Sequence, residues 1–99
     1  MMNKLPVYPN NNLCKVKSAK REIIVNLTAG EKASYQCDIS DLGFTIVYGA
    51  VASDYTNPNM EVIYNPDNSV ADKLMFVITN RGTSTYIGGI YPFIIAFGK

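Results

Sequence analysis

Between Glu31 and Ile39 the chain alternates. Ala33, Tyr35, Cys37 and Ile39 fall on one side of an extended backbone, with Ser34, Gln36 and Asp38 on the other. A period of two predicts a strand with one dry and one wet face. After "SDLG" (Ser40 to Gly43) comes "FTIVYGAV", apolar at nearly every position. There the spacing predicts Phe44, Ile46 and Tyr48 on one face and Val47 and Val51 on the other. The last run, "TYIGGIYPFIIAFG", places Tyr91, Phe93, Ile95 and Phe97 on one face and Ile94 and Ala96 opposite. A two-layer sandwich covers only the inner face of each sheet. Strands apolar on both faces therefore predict additional cover, most simply a second copy of the chain.

The punctuation between these runs is that of an all-β protein. "REIIVNLTAG" is rich in β-branched residues and is expected to form a hairpin with "KASYQCDIS" across "AGEK". "DYTNPN" breaks the next connection, and "NPDN" (Asn65 to Asn68) predicts a turn after "MEVIY", with Pro66 pre-set at its second position. "DKLMFVITN" reads as a strand and "RGTST" as a polar loop. Gly88 and Gly89 allow a bend within the final run. No stretch argues for a helix over a strand. The expected fold is a small antiparallel β-sandwich, jelly-roll-like, of six to seven short strands over residues 23–99, preceded by a basic extended N-terminal arm over residues 1–22.

Composition sharpens this. The chain has 99 residues, room for one small domain, and is 47% hydrophobic but only 17% charged. The low charge leaves a more neutral exterior than a soluble monomer usually carries, which again favours burial against a partner. Residues 1–25 hold Lys4, Lys15, Lys17, Lys20 and Arg21 against Glu22, a net +4, whereas the remainder is net −3, giving the overall +1. Lys15, Lys17, Lys20 and Arg21 are candidate docking residues for an acidic surface, or else a solvated arm or a lysine-guarded edge strand. No aromatic side chains interleave them, so nucleic-acid binding by stacking is not expected. Cys14 and Cys37 lack metal or redox spacing, and Cys37 is in phase with a dry face. The two could pair only if the first strand lay beside the third. No secretory leader and no run of about 18 apolar residues is legible, so folding in a host cytoplasm without membrane insertion is expected.

Chemistry is sparse. The chain has no histidine, which removes the commonest general base and the histidine-based nucleophile pairs. Asp38 and Asp41 could share a cation or act as an acid–base couple, but "DISD" before a glycine more commonly accepts backbone hydrogen bonds in a turn. No phosphate loop is present. Neither an enzyme nor a cofactor is expected. Seven tyrosines stand out. Tyr55, Tyr64 and Tyr86, with Asn57, border polar loops and are candidate contacts for a glycan or a protein.

The order of these pieces resembles a known family. "AGEKASYQCDISDLGFTIVYGAV", then "MEVIYNPDN", then "KLMFVITNRGTSTYIGGIYPFIIAFGK" resembles the C-terminal β-sandwich domain of tailed-bacteriophage tail-fibre and virion surface proteins. Gly30, Ser34, Tyr35, Asp38, Gly43, Phe44, Thr79, Asn80, Ala96 and Gly98 occupy the matching positions across residues 29–99. The resemblance implies a virion component, usually a homotrimer, that sometimes binds host-surface sugars. Only a short basic leader stands where a fibre would carry its shaft, which suits a capsid decoration or fibre-associated protein bound to other virion proteins. The rival expectations are a receptor- or glycan-binding tip and an intracellular phage inhibitor of a host enzyme.

Overall fold

The computed structural model describes residues 14–53 and 57–99, with every side chain of these except that of Asn68. The fold is all-β and antiparallel throughout, as the alternation predicts. Eight strands are described: β1 (Lys15–Lys20), β2 (Ile23–Leu27), β3 (Lys32–Asp38), β4 (Val47–Ser53), β5 (Met60–Val70), β6 (Lys73–Asn80), β7 (Tyr86–Ile90) and β8 (Phe93–Gly98), with a 3₁₀ turn at Ser40–Leu42 between β3 and β4. One layer has the order β1-β8-β4, continued by the β2-β7 pair, and the other has the order β3-β6-β5. Ile23, Val25, Leu27, Ile90, Ile94 and Ala96 from the first layer meet Cys37, Leu74, Phe76 and Ile78 from the second in one buried core.

β1 and β2 are one long strand with a kink, and so are β7 and β8. The pairing Lys15↔Gly98 through Lys20↔Phe93 continues in the same register as Ile23↔Ile90 through Leu27↔Tyr86. Both partners break at the same level. There the Arg21 N–H donates to the Pro92 carbonyl at 3.1 Å, and Pro92 is fully buried. The final run therefore divides at Tyr91–Pro92, where proline has no N–H to give. The glycines expected to bend it, Gly88 and Gly89, lie inside β7. The basic residues 15–20, grouped by the sequence with an arm, form an edge strand of the sheet.

Three local expectations are corrected. β2 and β3 do not pair with each other: β2 lies on β7 and β3 on β6. The chain between them crosses from one layer to the other because Asn80 holds the corner. Gly30 N–H donates to the Asn80 carbonyl at 2.7 Å, Asn80 N–H donates to the Glu31 carbonyl at 2.9 Å, and the Glu31 carboxylate accepts the Thr28 N–H at 2.8 Å. "NPDN" does not end its strand either. β5 runs on to Val70 with a register shift between Asn65 and Val70, and the chain reverses only before Lys73. The Asn65 side chain accepts the Asp67 N–H, and Ser69 bridges Asn65 to Met75, so the bulge carries its own hydrogen bonds. Finally, β4 carries a bulge between Val47 and Gly49. That extra residue shifts the phase, so Tyr48 and Val51 are both exposed instead of lying on opposite faces, while Ala50 is buried.

Candidate assembly surface

The pairing of β1, β8 and β4 decides which side chains share the outer face of that layer. Residues directly opposite in an antiparallel pair point the same way. Val16, Phe97 and Gly49 form one row, Ser18, Ile95 and Val51 the next, and Lys20, Phe93 and Ser53 the third. The opposite side of β8, Ile94 and Ala96, is sealed in the core. The face keeps Phe93 40%, Ile95 38%, Phe97 41%, Val16 67% and Val51 62% exposed. Beyond the kink Tyr91 joins them, its hydroxyl donating to the Glu22 carboxylate at 2.9 Å. That hydrogen bond and the neighbouring negative charge hold the Tyr91 hydroxyl above its ordinary pKa.

Gly49 shapes the centre of this face. A Cβ built there would meet the Phe97 ring at 2.6 Å, so the ring lies directly across the glycine. An aromatic side chain laid over a strand glycine covers the bare backbone there and helps to pin the strand register. The outer face of the other layer differs. Lys32, Ser34, Gln36 and Asp38 are exposed there, Met75 and Val77 are half-buried, and its large exposed apolar side chains among the described residues are Ile63 and, where β5 meets Lys73, Val70.

The sequence-predicted docking cations are divided between the two sides of β1. Lys15 and Lys17 sit opposite Gly98 and Ala96, hence on the inward side at the open edge, while Lys20 borders the apolar face beside Phe93. Lys15 Nζ donates to the Gly43 carbonyl at 3.0 Å. Arg21 serves the fold. Its Nη2 contacts both carboxylate oxygens of Asp41 at 2.6 and 2.7 Å, and its Nε donates to the Asp38 carbonyl at 3.3 Å. The Asp38 carboxylate accepts the Ser40 N–H at 2.8 Å, which lowers its pKa. The "DISD" carboxylates thus close a turn and hold an arginine. Among the described residues no cluster of three potential ligands could hold a metal.

The candidate loop contacts separate. Asn57 and Tyr86 line one small polar hollow of about 60 Å³, and the Tyr86 hydroxyl is spent on the Gly89 carbonyl at 2.7 Å. Tyr64 lies elsewhere, half-buried with its ring tilted 58° to Phe76 at 6.0 Å. Tyr55 lies outside the described residues. Tyr64 instead lines an open cleft with Tyr48, Ile46, Pro66 and Val70. Reading the sequence missed Tyr48 as a surface residue because the bulge that turns it outward leaves no mark in the hydrophobic pattern. Cys14 and Cys37 are both free, the first exposed and the second buried.

No family model, no curated protein and no solved structure matches this chain. The functional reading therefore rests on the surfaces just described and on the order of motifs in the sequence.

Proposed function

We propose that this chain is a small structural subunit that works by associating with copies of itself, as a surface component of a bacteriophage particle. The observation that carries the self-association is the outer face of β8, whose Phe93, Ile95 and Phe97 stand side by side between Val16 and Val51. Covering the remaining exposed part of each such side chain contributes about 1 kcal/mol, from about 1.5–3 kcal/mol for full burial. With the six side chains that include Tyr91, a pair of subunits gains on the order of 12 kcal/mol, against an association cost of about 4–15 kcal/mol. The two are of the same order. Association then depends on the whole patch, and one charge at its centre tips the balance.

The assignment to a virion is supported by the order of motifs over residues 29–99, which also points to a trimer docked on other virion proteins. Lys17 is the docking cation of β1 in this reading, since the Arg21 side chain is bound to Asp41 and Lys15 Nζ to the Gly43 carbonyl. A glycan-binding role draws less support, because Asn57 and Tyr86 share only a small hollow and Tyr64 is remote from it. Inhibition of a host enzyme remains the rival that predicts absence from particles.

Ile95→Lys tests the first claim. Light scattering of the purified chain should give an oligomer and of the variant a monomer, with circular dichroism unchanged. A wild-type monomer at high concentration overturns self-association. Mass spectrometry of purified particles tests the second claim, and absence of the chain from them refutes it.

A further inference from the structure

The two breaks in ladder register lie at the two walls of one cleft. The bulge between Val47 and Gly49 turns Tyr48 outward from β4, and the shift between Asn65 and Val70 sets Pro66 and Val70 on the facing wall. Tyr64 also lines the cleft, an open depression of about 350 Å³. Bulges re-aim side chains toward binding sites, and here both do so at one place. Tyrosine rings with a proline and branched aliphatics between them are the lining that receives polyproline II segments: the rings pack on proline, and the hydroxyls donate to its free carbonyls.

The chain supplies such a segment. Residues 1–13 lie outside the described residues and include Pro6-Val7-Tyr8-Pro9, with prolines at the three-residue spacing that repeats one face of this helix. We propose that the Tyr48–Tyr64 cleft is a seat for a proline-containing peptide and that its occupant is Leu5–Pro9 of the same molecule. The reach is short. Lys15 pairs with Gly98, which pairs with Val47 at the cleft wall. At about 4.8 Å per strand spacing, the leader enters the sheet about 10 Å from that wall. Pro9, six residues upstream of Lys15, reaches about 19 Å at ~3.1 Å per residue. A tether this short keeps the segment at millimolar effective concentration, which favours its own cleft over a neighbour's. Charge agrees with the placement. Lys4 precedes the segment, and the exposed Asp67 and Asp72 follow Pro66 and Ala71 of the lining.

The inference is independent of self-association, and its test uses the full-length chain, both native and carrying Ile95→Lys. Nuclear Overhauser contacts are expected from the Pro6 and Pro9 ring protons to the Tyr48 and Tyr64 rings, within a single molecule. A mixture of isotope-labelled and unlabelled chains separates these from contacts between molecules. Trypsin cleavage after Lys4 gives the second readout. Pro6→Ala with Pro9→Ala, or Tyr48→Ser alone, should accelerate it about ten-fold, because cleavage follows the population of the released leader. Absence of the proline–tyrosine contacts, contacts found only between molecules, or a cleavage rate unmoved by either substitution overturns the proposal. The Ile95→Lys sample keeps the two ideas apart. Loss of the oligomer with the leader contacts intact leaves the seat standing, and loss of the contacts with the oligomer intact does the reverse.

Discussion

Asn80 is the buried polar residue on which the corner between the layers depends, at 1% exposure. Its Nδ2 donates to the Leu27 carbonyl at 3.0 Å and to the Ser84 carbonyl at 2.9 Å, and its Oδ1 accepts the Gly82 N–H at 2.8 Å. Asn80→Ala strands these backbone groups, at about 1–3 kcal/mol for each one left without a partner. A loss of about 3 kcal/mol in urea unfolding is expected, with Asn80→Asp also destabilising because a carboxylate cannot donate to two carbonyls. Cys37 behaves oppositely to an exposed thiol. Burial, the largest influence, pushes its pKa above the ordinary 9.0, with Arg21 opposing and Asp38 and Asp41 reinforcing. A group whose folded pKa is raised adds stability that is present below its unfolded value and fades as pH rises through the folded one. Reagent at pH 8 should label one thiol per native chain, Cys14, and two after denaturation. Fast native labelling of Cys37 would contradict the burial described.

At the scale of elements, β8 is where sequence and packing agree most closely. The alternation of Phe93, Ile95 and Phe97 against Ile94 and Ala96 is legible directly, because a central strand without bulges keeps its period. β4 was legible only in part. The bulge at Tyr48 reverses the phase, and its one local mark is Gly49, a glycine inside a strand run, which does not by itself say which side chain turns outward. The pairing of β2 was misread for a different reason. A turn-like "AGEK" favours a hairpin locally, but the corner is fixed by Asn80, about fifty residues away in sequence. Sheet order is a long-range property, and single-sequence periodicity carries little of it. Gly98, at the end of β8, gives this scale its test. A Cβ there would overlap the Ile46 carbonyl, which is backbone and cannot turn aside, and the same carbonyl accepts the Lys99 N–H at 2.8 Å. Gly98→Ala should therefore cost about 3 kcal/mol through overpacking, seen as a lower urea midpoint. Gly49→Ala should cost less, since the ring across it can rotate.

For the whole molecule, the asymmetry between layers matters more than any single pocket. One outer face is largely polar, and the other carries an aromatic and aliphatic row with a lysine and a tyrosine–glutamate pair at its margins. The sequence disclosed that contrast because it resides in side-chain alternation. It did not disclose the cleft, which arises where two irregular strands from different layers face each other. The basic residues were visible as a cluster, but their division was not: Arg21 is held by Asp41, and Lys15 by a carbonyl.

β8, which follows all seven other described strands, is the middle strand of its sheet, with β1 on one side and β4 on the other. During synthesis the ribosome must release residue 98 before either flank can close its ladder. Until then the facing edges of β1 and β4 stay unpaired, open to neighbouring nascent chains. Most native contacts join distant parts of the chain, a topology that slows folding. Shortening the chain before Phe93 would therefore yield a sticky fragment rather than a smaller domain.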